Sequence, residues 1–314
     1  MGWQKIISLI FLLIIISTLT FAFFPNFKDS LNKIDNGIKN INKQTPENLP
    51  DVDNISKEIQ FIPEIRFNHN NISYKYGPDC EKRKEKMDEA FKIIEDKTEK
   101  ISFYEVNKNE DIKITCSNEN LSNEKGVFLA GEGGPNKIIN LSFNPLILHG
   151  GIILYGKKHE KSCEKPIVEI HELLHVFGFN HQNNKSLIMY PYYHCEQKIP
   201  KNILNKLNEI YSKEPTAELY FTKINVTKHK NYLDYNLEIK NEGLLTAKDI
   251  LLKIITLDEK LEEIEIAPLK PGSITTYTVK NQKLQSEKIN EVSFKISTTT
   301  KELFKEDNTK TLKL

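Results

Sequence analysis

The 314-residue chain lacks an excess of charge of either sign. Its 44 lysine and arginine residues nearly balance 43 aspartate and glutamate residues, and the formal net charge is +1. Bulk electrostatics therefore does not favour nucleic acid, and we expect no nucleic-acid partner. The length suggests two folded domains plus accessory segments, because single domains cluster near roughly 100 to 200 residues. Nothing in the composition indicates an oligomeric state.

Long apolar runs are also scarce, but one extends from Ile6 to Phe24 without a charged residue. Its length is near the ~20 residues that cross a bilayer and exceeds the ~7 to 15 of a signal peptide. No clear small-residue cleavage site follows it. We therefore favour an N-terminal transmembrane helix in residues 1–25, with Lys5 on the inner side. This predicts a single-pass cell-membrane protein with an extracytoplasmic main part; a secreted protein is the alternative.

The segment from His171 to His181 has the spacing of a zinc site. A helix advances about 3.6 residues per turn, so His171 and His175 lie on one face and can bind a single ion. Gly178 allows the chain to reverse after the helix, which returns His181 as a third ligand. Three protein ligands leave the fourth position of one Zn²⁺ ion open for water or substrate. Glu172 is not needed as a ligand and can act as a general base.

The alternative is that this pattern is an ordinary amphipathic helix whose apolar residues form part of a core. A match to the two histidines and the glutamate alone could arise by chance. The match also includes Gly178 and His181, and at roughly one in twenty per position the whole pattern is expected on the order of 10⁻⁷ times per start point. The sequence therefore favours a metal site.

The pattern His171-Glu172-x-x-His175-x-x-Gly178-x-x-His181 resembles the extended zinc motif of the metzincin peptidases. Met189 resembles their methionine turn, and by this resemblance it supports the site as an apolar floor. Within that clan the spacing is most similar to the matrixins, the matrix metalloproteinase family. In matrixins a methionine follows the third histidine by eight residues and a P-x-Y pattern comes next, here Pro191-Tyr192-Tyr193. The resemblance implies that Pro191 and Tyr193 form a wall of the primed-side substrate pocket.

This resemblance implies a zinc endopeptidase that acts on peptide or protein substrates. No cysteine precedes Cys80, so the inhibitory cysteine of a matrixin propeptide is not expected here. The loop that carries a second, structural zinc in animal matrixins has no counterpart, and we predict one catalytic zinc ion. Two other functions stay open: a surface adhesion or binding protein with a catalytically silent metal site, and a zinc hydrolase that cleaves a non-peptide cell-wall bond.

The expected fold class is an α+β metzincin-like catalytic domain with a twisted mixed sheet and three helices, in residues 60–214. A polar stalk, residues 26–59, precedes it. A glycine-rich loop is expected at Gly126–Gly134, and an edge strand that pairs with an extended peptide at Ile138–Phe143. The remaining predicted elements are strands at Ile62–Phe67, Ile101–Val106 and Asp111–Cys116, and helices at Arg83–Lys100, Pro166–Phe177 and Lys201–Lys213.

All four cysteines, Cys80, Cys116, Cys163 and Cys195, lie in this domain. An even number in an exported chain implies disulfide bonds, and three connectivities are possible for four cysteines. We favour Cys80 with Cys116 and Cys163 with Cys195. Zinc ligation by cysteine competes with this interpretation, but the scattered spacing and the complete histidine set disfavour it.

Residues 215–314 change to alternating apolar and polar positions, which predicts about seven short strands and an all-β immunoglobulin-like sandwich. The patterns Asn241-Glu242-Gly243, Leu269-Lys270-Pro271-Gly272 and Glu306-Asp307-Asn308 resemble the CARDB type of this domain. No cluster there suggests chemistry, so we interpret the domain as a spacer, docking or substrate-presenting module. The strands are expected at Leu219–Val226, Leu233–Ile239, Ile250–Leu257, Leu261–Ile266, Ile274–Val279, Val292–Ile296 and Thr309–Leu314.

Overall fold

The computed structural model describes residues 59–119, 129–156, 163–256 and 259–314. The apolar N-terminal run and all but the last residue of the expected stalk lie outside these ranges, as does the beginning of the glycine-rich loop. Among the helices of the described ranges, none combines the length and the apolar character needed to span a membrane.

Residues 71–212 contain a five-stranded mixed sheet flanked by helices. The strands lie in the order β2-β1-β3-β5-β4 across the sheet. The pairs β1–β2, β1–β3 and β3–β5 are parallel, whereas β4 pairs antiparallel with β5 and lies at an edge. The α+β architecture and the mixed sheet agree with the sequence prediction. The strands are β1 (Asn71–Tyr76), β2 (Ser102–Glu105), β3 (Ile112–Ser117), β4 (Gly131–Ile139) and β5 (Leu146–Tyr155).

Three helices accompany this sheet: α1 (Glu81–Thr98), α2 (Ile167–Val176) and α3 (Lys201–Ser212). Each begins and ends within two residues of its predicted limits. Apolar side chains at helical spacing bury one face of α1 and one face of α3. Helix α2 differs, because every one of its residues except His175 is buried. It is therefore the central helix of the α+β part, enclosed on all sides.

The predicted strand at Ile62–Phe67 is wrong. The chain turns there, Glu64 adopts a left-handed backbone conformation with φ 59°, and only Arg66 makes an isolated bridge, to Leu146. Pro63 has no N–H to donate, which further disfavours a ladder at this position. The first strand of the sheet is instead β1, whose Ile72 and Tyr74 are buried on the α1 side of the core.

The glycine-rich loop and the edge strand also differ from expectation. Gly131 to Gly134 belong to β4, so the edge strand begins earlier than predicted and ends at Ile139. The reason is packing against α2: a Cβ atom at Gly133 would lie 2.1 Å from the backbone oxygen of Glu172. Glycine allows the strand to pass this close to the helix, and a turn is not formed.

Residues 219–313 form seven strands in two antiparallel sheets, and all seven predicted strands are confirmed. One sheet has the order β10-β7-β6 and the other β12-β11-β8-β9. Buried apolar residues of both sheets, among them Leu237 and Phe294, form one core. The strands are β6 (Leu219–His229), β7 (Tyr232–Asn241), β8 (Ile250–Thr256), β9 (Glu259–Ile266), β10 (Ile274–Lys283), β11 (Glu291–Ser297) and β12 (Thr309–Lys313).

Candidate metal centre

Helix α2 and the turn after it bring three histidines together. His171 and His175 are one turn apart on the helix. The helix ends at Val176, and the chain then turns at Gly178, whose φ of +81° is unfavourable for a residue with a side chain. A Cβ there would also lie 2.5 Å from Cγ2 of Ile65. This reversal returns the chain so that His181 faces the two helical histidines.

The three imidazole rings converge through their Nε2 atoms. The separations are 3.0 Å between His171 and His175, 3.1 Å between His175 and His181, and 3.2 Å between His171 and His181. These separations would allow all three nitrogens to bind one zinc ion at the usual Zn–N distance of about 2.0 to 2.1 Å. The geometry therefore suits one ion with an open side.

The tautomers of two rings also suit a metal. Nδ1 of His171 donates to the carbonyl oxygen of Ile188 at 2.6 Å, and Nδ1 of His175 donates to that of Phe179 at 2.8 Å. Because a carbonyl oxygen only accepts, the proton of each neutral ring lies on Nδ1 and Nε2 presents a lone pair. Lone pairs about 3 Å apart repel one another unless a cation lies between them. This donor set matches zinc.

The protein keeps these rings neutral. Burial, followed by repulsion from the neighbouring histidines, lowers the pKa of His175 well below its usual range and that of His181 to about 3. Burial also lowers the pKa of His171. Neutral imidazole is the form that binds a metal ion, so the surroundings favour the metal-binding state.

Glu172 lies on α2 beneath the first residues of β4. A Cβ at Gly131 would lie 2.7 Å from Cγ of Glu172 and 2.9 Å from its Oε1. Burial raises the pKa of the Glu172 carboxyl well above its usual range, and the negative charges of Glu132 and Glu169 add to this effect. The carboxyl group is thus enclosed between the helix and the bare backbone of the edge strand.

The segment after His181 supports the site mainly through its backbone. Met189 is fully buried in the main core, and its carbonyl oxygen accepts the N–H of Gln182 at 2.8 Å. The preceding carbonyl, that of Ile188, orients His171. Pro191 and Tyr193 are partly exposed, and Tyr193 packs against the same core. Their role as a substrate pocket stays a prediction.

Two disulfide bonds are present, Cys80–Cys116 and Cys163–Cys195, in the pairing favoured from the sequence. The second bond joins a residue four positions before the start of α2 to a residue beyond Met189. It therefore closes a loop that contains all three histidines. The first bond joins the start of α1 to β3, away from that loop.

Several supporting contacts have no signal in the motif. The carbonyl groups of Ile188 and Phe179 orient the rings of His171 and His175, and a residue of any type could supply such a carbonyl group. The side-chain amide of Gln60 donates to the carbonyl oxygen of Phe177 at 3.0 Å and supports the turn after α2. Arg83 of α1 and Glu169 of α2 form a buried ion pair at 3.3 Å. Only the charge of the last pair could have been noticed, and its partners are far apart in sequence.

Three histidines that converge just after the central helix of an α+β domain suit a zinc metallopeptidase. The matrixin family model matches residues 66–212, a range that includes α1, α2, α3 and the three histidines. These residues form a matrixin-like metzincin domain, and the match does not extend to the β-rich region that follows. No curated protein matches the chain.

Proposed function

We propose that this protein is a zinc-dependent endopeptidase with one catalytic zinc ion and that Glu172 is its general base. The observation that carries the proposal is the set of Nε2 separations, 3.0 to 3.2 Å, among His171, His175 and His181. These residues would hold the ion and leave one side open for a reactant. Residues 60–214 are the proposed catalytic domain.

When bound, zinc supplies a water of lowered pKa and polarises the carbonyl group of the scissile bond. Glu172 would accept a proton from the attacking water and later donate it to the leaving amine. Glu172 directly follows His171 on α2, which is the position this role requires. Enclosure beneath Gly131 limits competing contacts with bulk water.

The edge strand β4 supports the choice of an extended peptide as substrate. Within the sheet that the structure describes, β4 pairs with β5 on one side and with no strand on the other. A peptide in extended conformation can add to the free edge through main-chain hydrogen bonds. Gly131 and Gly133, next to Glu172, bring this edge close to the metal centre.

We propose an extracytoplasmic location with the apolar run at Ile6–Phe24 as a membrane anchor. Two disulfide bonds support an oxidising compartment, since such bonds rarely persist in the cytosol. We further propose that residues 215–314 are an immunoglobulin-like domain of the CARDB type. The two antiparallel sheets around one core support this assignment.

The test is cleavage of a peptide library by the wild-type protein and by the variant Glu172→Gln. We expect zinc content to stay the same and turnover to fall by about 10²- to 10⁴-fold, the range for loss of general acid–base catalysis. Glu164→Gln, an exposed position before α2, is the matched control and should retain activity. Unchanged turnover in Glu172→Gln contradicts the assigned role. Release of products from cell-wall polymers but not from peptides contradicts the substrate class.

A further inference from the structure

A small apolar cluster joins the β-rich region to the metallopeptidase domain. Leu141 and Leu146, at the turn between β4 and β5, pack against Leu244, which lies in the loop after β7. All three are buried, at 5%, 1% and 6% exposure. Ile139 and Leu148 pack against the same cluster from the two strands. The β-rich region therefore contacts the β4–β5 hairpin at its turn.

A carboxylate of the β-rich region bonds directly to this hairpin. Oε2 of Glu242, a side chain that is 4% exposed, accepts the backbone N–H of Ser142 at 2.6 Å. Lys240 forms an ion pair with the same carboxylate. Burial opposes the charged form, but the bonds to Lys240 and Ser142 outweigh it and hold the pKa of Glu242 below its usual range. A charged acceptor thus anchors the turn of the hairpin.

The loop that carries Glu242 is ordered by its neighbour Asn241, which is fully buried. The Asn241 side chain donates to the carbonyl oxygens of Leu245 and Leu269 at 2.8 Å, and it accepts the N–H of Gly243 at 2.9 Å. Hydrogen bonds within the β-rich region therefore shape this loop. It can act as a rigid support.

A second loop meets the end of β4 itself. Gly272, at φ +72°, approaches Ile139 so closely that a Cβ would lie 2.7 Å from its Cγ2 atom. The opposite end of β4 is the part that covers Glu172, at Gly131 and Gly133. Strand β4 thus contacts the β-rich region at its last residue, Ile139, and helix α2 at its first residue, Gly131.

We propose that Glu242 is a positioning residue that holds the free edge of β4 in place for a bound peptide, so that the β-rich region is part of the peptidase and not a detached spacer. The inference rests on the proposed peptidase function. It also gives the motifs Asn241-Glu242-Gly243 and Leu269-Lys270-Pro271-Gly272 a shared role, because both loops contact the same hairpin. The substrate affected is an extended polypeptide that pairs along β4.

The variant Glu242→Ala should raise KM for peptide substrates by about threefold to tenfold and change kcat by less than about twofold. The reason is that pairing along the edge holds the substrate equally in the ground state and the transition state. A purely structural defect would instead lower the active fraction, and with it kcat, at constant KM. Glu242→Gln keeps an oxygen acceptor for the Ser142 N–H and should restore most of the affinity.

Glu302→Ala is the matched control. Glu302 is a buried carboxylate of the same region, and its hydrogen bonds go to Leu219 and Asn308, which also belong to that region. It should lower stability and leave KM unchanged. An equal rise of KM in Glu302→Ala and Glu242→Ala overturns the proposal.

Amide hydrogen exchange separates this inference from the proposed function, because it needs no turnover. Glu242→Ala should speed exchange in residues 137–148 by at least about tenfold relative to Glu302→Ala, because the anchor of the hairpin is lost. Equal exchange in the two variants overturns the positioning role even if the protein cleaves peptides. A wild-type protein that cleaves no peptide overturns the proposed function, and the exchange result then still decides whether Glu242 anchors the hairpin.

Discussion

Removing the disulfide around the metal centre should weaken zinc binding, whereas removing the other disulfide should not. The two bonds close loops of nearly equal length, since their cysteines are 32 and 36 residues apart. Loop-closure entropy then predicts a loss of unfolding free energy of about 3.7 kcal/mol for Cys163→Ala/Cys195→Ala and about 3.8 kcal/mol for Cys80→Ala/Cys116→Ala. The two double variants therefore lose nearly the same loop-closure stabilisation.

The two variants differ in what the loop encloses. The Cys163–Cys195 loop contains His171, His175 and His181, so its ends determine how well the ligands are ordered before zinc binds. We expect about tenfold weaker zinc binding when it is opened, which corresponds to about 1.4 kcal/mol. The Cys80–Cys116 loop contains none of the three ligands. Opening it should change zinc affinity by less than about twofold.

Stability is measured by urea unfolding of the zinc-free protein, followed by far-ultraviolet circular dichroism, and zinc affinity by competition with a chromophoric chelator. Cys80 is 1% exposed, so its variant also loses core packing and should be at least as destabilised as the other. A loss of zinc affinity that comes only from lower stability would therefore appear at least as strongly in Cys80→Ala/Cys116→Ala. Equal loss of zinc affinity in the two variants, or no loss in either, refutes the reasoning that the bond orders the ligands.

Two further predictions concern β4 and the β-rich region. Gly131→Ala should lower kcat/KM by about tenfold or more with zinc retained, because the new Cβ meets Glu172. Gly134→Ala is the control, since a Cβ there has no atom within 4 Å, and its kcat/KM should stay within about twofold of wild type. Equal kcat/KM values for the two variants contradict the contact between Gly131 and Glu172. Burial, with a smaller contribution from Asp307, raises the pKa of Glu218 to about 6 from an ordinary value of 4.5. Because the folded state binds this proton more tightly, Glu218 should make stability fall as pH rises from about 4.5 through about 6. Urea midpoints of the chelator-treated protein should show a smaller fall in Glu218→Gln, and identical pH profiles would contradict the prediction.

Local periodicity was enough to predict the helices. Met87, Ala90, Phe91 and Ile94 repeat at helical spacing and are buried in α1, and Pro200 precedes α3 as predicted. Such patterns depend on residues near one another in sequence, so the hydrophobic effect acts on them in almost any fold that offers a core. The seven strands of the β-rich region were predictable for the same reason, since their side chains alternate between core and solvent.

The two errors in the α+β part have different causes. Gly131 to Gly134 have the composition of a turn, but they form a strand because α2 passes directly beneath them. Ile62 to Phe67 has the composition of a strand, yet Pro63 and the left-handed Glu64 turn the chain. Composition alone does not distinguish a glycine needed for a turn from a glycine needed for close approach.

What the sequence alone determined is that three histidines come together. His171, His175 and His181 fall within eleven consecutive residues, so one helical turn and one glycine reversal suffice to bring them together. Only the tertiary structure decided how the rings are oriented, that β4 lies over Glu172, and that Leu244 and Glu242 reach the hairpin. Those features depend on backbone carbonyls, on the absence of side chains and on contacts between residues about 100 positions apart, such as Ser142 and Glu242. A carbonyl group is present in every residue type, and a contact between distant segments forms only when the whole chain has packed.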